Sequence, residues 1–309
     1  MSVPRSLPAV FSTAALALVL AACGGGGTGA PAGGGGATAP TSGAAIPTVQ
    51  KDAALAALVP KEIAADGKLS FGTDASYAPN EFTDTDGTTI VGMDVDLSKA
   101  IGQKLGLEST FENAAFDGII PGIAAKKYEI AVSSFTVNEE RTQTVTMISY
   151  YSAGTSLAVK KGNPEKISAD DLCGKNVGVQ KGTVQVDDIA ARSKKCTDSG
   201  KPAINSTELQ AQTDVTLALT GKRAQGMLAD SPVVDYAVAQ TKGQLEVIGE
   251  AYDTAPYGIA VPKNSGDYAK AVQGAVQALM TDGTYKAILD KWSVASGAIT
   301  ESKINGAAG

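Results

Sequence analysis

The residues best placed to do chemistry are acidic, basic and hydroxyl side chains in four short segments beside predicted β-strands. Asp74 and Asp230 each end a predicted strand, the segment 134–141 follows a third strand, and Thr183 lies in the loop after a fourth. Parallel sheets bind small molecules at the carboxyl ends of their strands. We therefore expect the four segments to meet at one site, where they could form ion pairs and hydrogen bonds with a polar ligand.

Histidine is absent from the 309 residues. Its absence excludes Ser-His-Asp triads, Cys-His pairs and His-ligated zinc, so any reaction would rest on carboxylate, Lys, Tyr or Ser side chains. Reversible binding without a reaction is the simpler interpretation. The formal charge of -6 and the pI of about 4.9 argue against nucleic acid as a partner, because nucleic-acid binding needs a basic surface.

The segments that must position these side chains alternate between strand and helix patterns. Leu97, Ile101 and Leu105 lie on one helical stripe, Asp117 is predicted to cap a helix, and Ser231 before Pro232 is typical of a helix start. The alternation predicts an α/β fold with mostly parallel sheets and helices on both faces, and the length suggests about two domains. Short strands are predicted at 69–72, 110–112, 130–132, 156–159, 177–179, 225–229 and 258–261.

The turn at 84–87 is predicted to join two short strands. It is similar to the start of a calcium-binding loop, but the glutamate expected further on is missing at the required spacing. We therefore expect no metal site, and nothing in the sequence calls for a cofactor.

Residues 1–22 have the pattern of a secretory signal, with Arg5 as the one charge before an apolar stretch. Leu20-Ala21-Ala22-Cys23 resembles the lipobox of bacterial lipoproteins, which implies acylation of Cys23; the alternative is an ordinary signal with an unrelated cysteine. Residues 24–50, rich in Gly, Ala, Pro and Thr, are predicted to be a flexible tether. With Cys23 acylated, Cys173 and Cys196 remain as a pair in an oxidising compartment, so a disulfide is expected, with two free thiols as the alternative.

Several stretches resemble, in order, the extracellular solute-binding proteins that deliver polar amino acids to ABC importers. The resemblance covers roughly residues 66–294. It rests on the segments 72–79 (GTDASYAP), 92–97 (GMDVDL), 133–141 (SSFTVNEER), 230–232 (DSP), 257–261 (YGIAV) and 281–285 (TDGTY), and on Lys291-Trp292. It implies two α/β lobes joined by a hinge, with the ligand held between them. Lobe 1 would be discontinuous, comprising residues 51–154 and 255–309, and lobe 2 would comprise residues 155–254.

Residue by residue, the resemblance implies a clamp for a free amino acid. Arg141 would hold the α-carboxylate with two parallel charge-assisted bonds, although alone it is more typical of a surface ion pair with Glu139 or Glu140. Asp230 would accept the α-ammonium, and otherwise it would be a carboxylate flanking a helix. Backbone and hydroxyl bonds would come from Ser134, Phe135 and Thr136, and the helix start at Thr183 also favours a carboxylate.

The side chain of the amino acid would meet a second group of residues. Asp74 would contact its distal polar group or else be a turn residue, and Gln180 could reach the same group. Tyr77 and Phe116 would sandwich the ligand or else belong to the core. The family's pattern changes at Asn80, Phe116, Asn138, 147–151 and Val184, which leaves the identity of the amino acid open. Asp74 favours a side chain that donates hydrogen bonds or is positively charged.

These residues imply a monomeric, exported protein that is lipid-anchored to the outer face of the bacterial cell membrane. Its partners would be a free amino acid and the membrane permease of an ABC importer, without nucleic acid or a cofactor. Two alternatives stay open. One is a dehydratase of the same fold that uses a carboxylate as acid or base, and the other is a binding protein that serves a sensor.

Overall fold

The computed structural model describes residues 46–306. The predicted signal, Cys23 and the tether up to residue 45 lie outside the described residues. Within them, no helix has both the length and the hydrophobicity needed to cross a membrane.

The described residues form alternating strands and helices, as the sequence predicts. The strands are β1 Lys68–Thr73, β2 Ser76–Tyr77, β3 Glu81–Thr83, β4 Ile90–Val91, β5 Glu108–Asn113, β6 Ile130–Ala131, β7 Val145–Lys160, β8 Asn176–Gln180, β9 Asn205–Leu209, β10 Gly226–Asp230 and β11 Leu245–Pro262. The helices are α1 Ala53–Ala56, α2 Met93–Leu105, α3 Phe116–Ala124, α4 Glu139–Thr144, α5 Val184–Asp198, α6 Gln212–Thr220, α7 Ser231–Gln240, α8 Asp267–Thr281 and α9 Thr284–Lys291.

One large sheet runs through the described part of the chain in the order β5-β1-β6-β11-β7-β10-β8-β9. The pairs β5–β1, β1–β6, β10–β8 and β8–β9 are parallel, whereas β11 and β7 pair antiparallel with each other and with their other neighbours. We call β5, β1 and β6 with their helices the β1 side, and β10, β8 and β9 with theirs the β8 side. The mostly parallel α/β fold predicted from the sequence is therefore confirmed.

The antiparallel pair of β7 and β11 joins the two sides as a continuous ribbon. β7 has 16 residues and β11 has 18, so the predicted strands at 156–159 and 258–261 were too short. The pairing shifts register between Ile248 and Tyr252 and again between Tyr252 and Ala255. These irregularities lie where the ribbon passes from one side to the other.

Each side has its own apolar core. On the β1 side, the predicted stripe of Leu97, Ile101 and Leu105 is buried and packs with residues of α8 and α9. On the β8 side, Val177 and Leu228 belong to a cluster that reaches α5. Each carboxyl end of a strand is thus fixed by a helix layer packed against it, which gives the loops a rigid base.

Two helix starts differ from the sequence prediction. Ala115 rather than Asp117 is the N-cap of α3, and Asp117 lies within its first turn. Asp230 rather than Ser231 precedes α7, with Pro232 in the first turn as expected. In both cases the acidic side chain is occupied elsewhere, as described below.

Cys173 and Cys196 form the expected disulfide, with their Cα atoms 5.6 Å apart. The bond ties the segment before β8 to the last turn of α5.

Candidate functional site

Arg141 lies in α4 and extends toward the loop before α5. Its Nη1 donates to the Thr136 carbonyl at 2.9 Å, and its Nη2 donates to the Gly182 carbonyl at 3.1 Å. The guanidinium also lies over the rings of Phe116 and Phe135, at 5.4 and 5.7 Å from the ring centres. Burial lowers the pKa of Arg141, and the charge of Asp230 opposes that shift. The guanidinium is cationic, and among residues 46–306 one N–H on each Nη has no acceptor.

Asp230 is buried at the end of β10, and two side chains fix its carboxylate. The Tyr257 hydroxyl donates to Oδ2 at 2.7 Å, and Gln185 Nε2 donates to Oδ1 at 2.8 Å. The Asp230 amide donates to the Tyr77 hydroxyl at 3.2 Å. Burial raises the pKa of Asp230, while these hydrogen bonds and the charge of Arg141 lower it. These contacts leave acceptor positions on the carboxylate for a further donor.

Asp74 and Gln180 meet across the two sides of the sheet. Gln180 Nε2 donates to Asp74 Oδ2 at 2.9 Å and to the Gln210 carbonyl at 3.1 Å. Because both partners accept, the orientation of the amide is fixed and Oε1 must point elsewhere. Within the described residues this buried Oε1 has no hydrogen-bond donor. Asp74 also accepts from Phe116 N–H at 2.9 Å and from Ser76 Oγ at 2.6 Å, and burial raises its pKa.

Three aromatic residues named from the sequence contact the charged groups of the site. Phe116 and Phe135 stack with their ring centres 4.9 Å apart, and both contact the Arg141 guanidinium. Tyr77 packs with core residues of the β8 side, and its hydroxyl contacts Asp230. Tyr77 therefore connects β2 with the end of β10.

Thr183 is the residue before α5, as expected, but its side chain does not cap the helix. Its hydroxyl donates to the Gln180 carbonyl at 2.8 Å instead. The preceding Gly182 has φ of 78°, and a Cβ there would come within 2.8 Å of the Asp117 Cβ. This close approach needs glycine and brings the N-terminus of α5 against α3.

Ser134 and Thr136 complete the site from the loop after β6. The Ser134 amide donates to Asp94 Oδ2 at 2.9 Å, so it is occupied by the protein. The Thr136 amide has no hydrogen bond within the described residues and lies beside the Arg141 contact. The ten residues predicted from the sequence are thus linked through direct contacts or one shared neighbour.

Three site residues were missed by the sequence reasoning. Tyr257 belongs to a stretch noted for its family resemblance, and Gln185 follows Thr183 by two positions. Glu81 accepts from the hydroxyls of Ser133 and Ser134, at 3.0 and 3.2 Å. Further contacts join the two sides at the rim, where Lys181 Nζ pairs with Asp117 Oδ2 at 2.9 Å and Gln210 Nε2 donates to Asp117 Oδ1 at 2.8 Å. This explains why Asp117 is not free to cap α3.

The pattern of this chain matches a family model described as bacterial extracellular solute-binding proteins, family 3, over residues 69–295. The chain belongs to this family. Among family relatives, the arginine-binding protein ArgT of Corynebacterium glutamicum is 35% identical over 250 residues, covering 81% of this chain and 82% of the relative. ABC transporter arginine-binding protein 1 of Escherichia coli K12 is 30% identical over 230 residues, covering 73% of this chain and 90% of the relative.

Solved structures of solute-binding proteins have the same two-lobed fold. An ancestral arginine-binding protein bound to arginine is 34% identical with a TM-score of 0.68, covering 73% of this chain and 98% of the other. The same TM-score of 0.68, at 32% identity and covering 74% and 98%, is found for an ancestral arginine-binding protein bound to glutamine. An ancestral amino acid-binding protein described as a precursor of cyclohexadienyl dehydratase is 31% identical with a TM-score of 0.65, covering 75% and 98%.

Proposed function

We propose that this protein binds a free polar amino acid outside the cell and delivers it to the membrane permease of an ABC importer. The observation that carries the proposal is the relation between Arg141 and Asp230. Arg141 donates to the carbonyl of Thr136, and Tyr257, which lies opposite Thr136, donates to Asp230. In the described part of the chain the two charges nevertheless form no ion pair with each other. Two opposite charges that are close but unpaired can hold a zwitterion between them, with its carboxylate on Arg141 and its ammonium on Asp230.

The carboxylate end of that zwitterion would be held by Arg141 and Thr136. Arg141 keeps a free N–H on each Nη, which permits a paired contact with two carboxylate oxygens. The free Thr136 amide and the N-terminus of α5 behind Thr183 add donors on the same side. The ammonium end would be held by Asp230, whose orientation Tyr257 and Gln185 fix.

We further propose that the amino-acid side chain is a hydrogen-bond donor with positive charge, with L-arginine as the first candidate. Asp74 is anionic, and Gln180 Oε1 is a buried acceptor without a donor among the described residues. Both groups would accept from a guanidinium. The ring of Phe116, which stacks on buried Phe135 and is 8% exposed, would pack against its methylene groups. Relatives named for arginine binding support the same choice.

Binding would favour the closed arrangement. Gln180 with Asp74, Lys181 with Asp117, and Arg141 with the Gly182 carbonyl all join the β1 side to the β8 side. A ligand that contacts both sides binds the closed state more tightly and so shifts the population toward it. The permease would recognise that closed form. We assign the lobe boundary to the register shifts of the ribbon, close to Thr155 and Ala255.

We also propose that the chain is anchored through an acylated Cys23, with the tether predicted at 24–50 ending where Ile46 and Val49 pack against the core of the β1 side. Multiple acyl chains give stable anchoring, whereas a single chain is marginal. The tether would keep a monomeric binding domain near its permease and so raise the effective concentration there.

The dehydratase alternative has support from a similar structure, the ancestral amino acid-binding protein described as a precursor of cyclohexadienyl dehydratase. It needs a pocket carboxyl group free to move a proton. Asp230 accepts from Tyr257 and Gln185, and Asp74 accepts from three donors, so both are engaged in holding positions. We therefore propose a binding protein without a reaction of its own, and incubation with prephenate-like acids should yield no product.

The test is a thermal-shift screen of the purified domain against the common amino acids, followed by calorimetry. We expect L-arginine to give the largest stabilisation, with other donor side chains weaker and aliphatic ones without effect. Stabilisation by no amino acid would overturn the proposed function. Stabilisation by an acidic amino acid alone would overturn the assignment of Asp74 and Gln180 but keep the clamp.

A further inference from the structure

Ser134, in the middle of the binding segment, has a backbone conformation that residues other than glycine rarely adopt. Its φ is 52°, and such a conformation persists only where the surroundings hold it in place. Two contacts do so directly. The Ser134 amide donates to Asp94 Oδ2 at 2.9 Å, and Asn80 Nδ2 donates to Ser134 Oγ at 2.9 Å.

The direction of the chain at Ser134 decides how the ligand donors point. Just beyond it, Gly258 N–H donates to the Phe135 carbonyl and Val137 N–H donates to the Pro256 carbonyl, both at 2.8 Å. Thr136 lies between these two bonds, so its own N–H and C=O face away from β11. The carbonyl accepts from Arg141, and the amide is the free donor proposed for the ligand.

Asp94, which holds Ser134, is in turn part of a buried carboxyl pair with Glu81. Ser134 Oγ lies 3.2 Å from Asp94 Oδ2 and 3.2 Å from Glu81 Oε2, and the two acidic residues are 1% and 0% exposed. Gly92 permits the approach of α2 to β3, because a Cβ there would lie 2.0 Å from the Asn80 carbonyl oxygen. Within residues 46–306, no lysine or arginine forms an ion pair with either carboxyl group.

Without a cation nearby, the two groups cannot both be ionised, because burial and mutual repulsion disfavour a second negative charge. Glu81 accepts from the hydroxyls of Ser133 and Ser134 at 3.0 and 3.2 Å. Asp94 Oδ2 accepts shorter bonds, from the Ser134 amide at 2.9 Å and from the Tyr150 hydroxyl at 2.7 Å, which favours the anion there. Asp94 Oδ1, by contrast, is buried without a protein donor in the described residues. A proton on Glu81 would supply that donor.

The direction of the pKa shifts agrees with this geometry. Burial and the neighbouring charge of Asp94 raise the pKa of Glu81 well above its ordinary value. Burial raises the pKa of Asp94 to about 6, against hydrogen bonds from Glu81, Tyr150 and Ser134 that lower it.

We propose that Glu81 and Asp94 are positioning residues of the amino-acid site. Glu81 carries a proton at neutral pH and donates a hydrogen bond to Asp94. Asp94 remains the anion that fixes Ser134 and thereby the direction of Thr136 and Arg141. Neither residue contacts the ligand. The role in binding rests on the amino-acid-binding function proposed above.

Calorimetric titration with L-arginine tests the two roles separately. Glu81→Ala should weaken binding about tenfold or more, because it leaves buried acceptors and donors unpaired. Glu81→Gln should restore most of the affinity, since its amide donates a hydrogen bond as the protonated acid does. Asp94→Asn should weaken binding, because Asp94 must act as the anion. If Glu81→Gln binds as weakly as Glu81→Ala, or Asp94→Asn binds as well as the unaltered protein, the assignment is wrong.

Infrared difference spectroscopy tests the proton without any ligand. The unaltered protein at neutral pH should show a protonated carboxyl band that Glu81→Gln removes. The exposed Glu62→Gln, which changes the net charge equally, should leave the band unchanged. A spectrum unaffected by Glu81→Gln would overturn the proposal. If the protein binds no amino acid, the proposed function fails while this measurement still decides where the proton lies.

Discussion

Replacing Arg141 with lysine separates the charge of the clamp from its geometry. The guanidinium donates to the carbonyls of Thr136 and Gly182 and still has one free N–H on each Nη for a ligand carboxylate. A lysine ammonium has three donors and acts as a compact point charge. It can keep the attraction to the carboxylate, but it cannot make two parallel bonds while also holding the two carbonyls.

The expected loss follows from the bonds that each variant gives up. Arg141→Lys should forfeit one charge-assisted bond, which is worth about 1.5–3 kcal/mol, or roughly 10- to 150-fold in affinity. Arg141→Ala also leaves the ligand carboxylate unpaired in the closed site, which costs roughly 2–5 kcal/mol, or about 30- to 5000-fold. The order of affinity should therefore be arginine, then lysine, then alanine at this position.

Calorimetry with L-arginine, or with the amino acid that stabilises the domain most, measures the three affinities directly. Arg223→Lys is the matched control, because it makes the same exchange at an exposed position. Circular dichroism should show that all variants are folded. Equal affinities for the lysine variant and the unaltered protein would refute the paired contact, and an unchanged alanine variant would refute the clamp altogether.

Four further outcomes test separate parts of the molecule. Asp230→Asn should weaken amino-acid binding at least about tenfold in calorimetry, because it removes the charge opposite the ammonium, and unchanged affinity would contradict that role. Gln180→Leu should weaken the binding of L-arginine more than the binding of an aliphatic amino acid, and an equal loss for both ligands would oppose this. The affinity for L-arginine should also fall at acid pH as Asp74, whose pKa is raised by burial, becomes protonated, and an affinity that does not change with pH would contradict that role. Cys196→Ser should lower the melting temperature, since the disulfide contributes about 3 kcal/mol in the loop-entropy model, and no change in calorimetry would show that the bond adds little. Cys23→Ser should release the protein from membranes on fractionation, and retention would argue against acylation.

The fold was predictable where the signal is local. Leu97, Ile101 and Leu105 lie on the buried face of α2 because helical spacing alone decides which face they share. The lengths of β7 and β11 were not predictable in this way. Their pairing joins distant parts of the chain, and β7 is buried almost throughout without alternation.

In the candidate site, too, residues in recognisable local stretches were predictable, whereas those that depend on distant contacts were not. Arg141 and Asp230 could be named because each stands in a recognisable stretch of sequence beside a strand end. Glu81 could not, because a glutamate in a short polar strand is usually exposed, and its burial here depends on partners from α2 and from the loop after β6. Gln180 was named as a weak candidate, but its unpaired Oε1 emerges only from the partners that fix its amide.

The β7–β11 ribbon also affects the order in which the chain can fold. The β1 side needs β11 beside β6, and that contact pairs Ala131 with Ala260, far apart in sequence. A chain made from its N-terminus therefore cannot complete the β1 side until nearly all of it has been synthesised. Long-range pairing of this kind makes folding slow. A protein that must be threaded through an export channel before it folds would gain from this delay, because its last long strand arrives late.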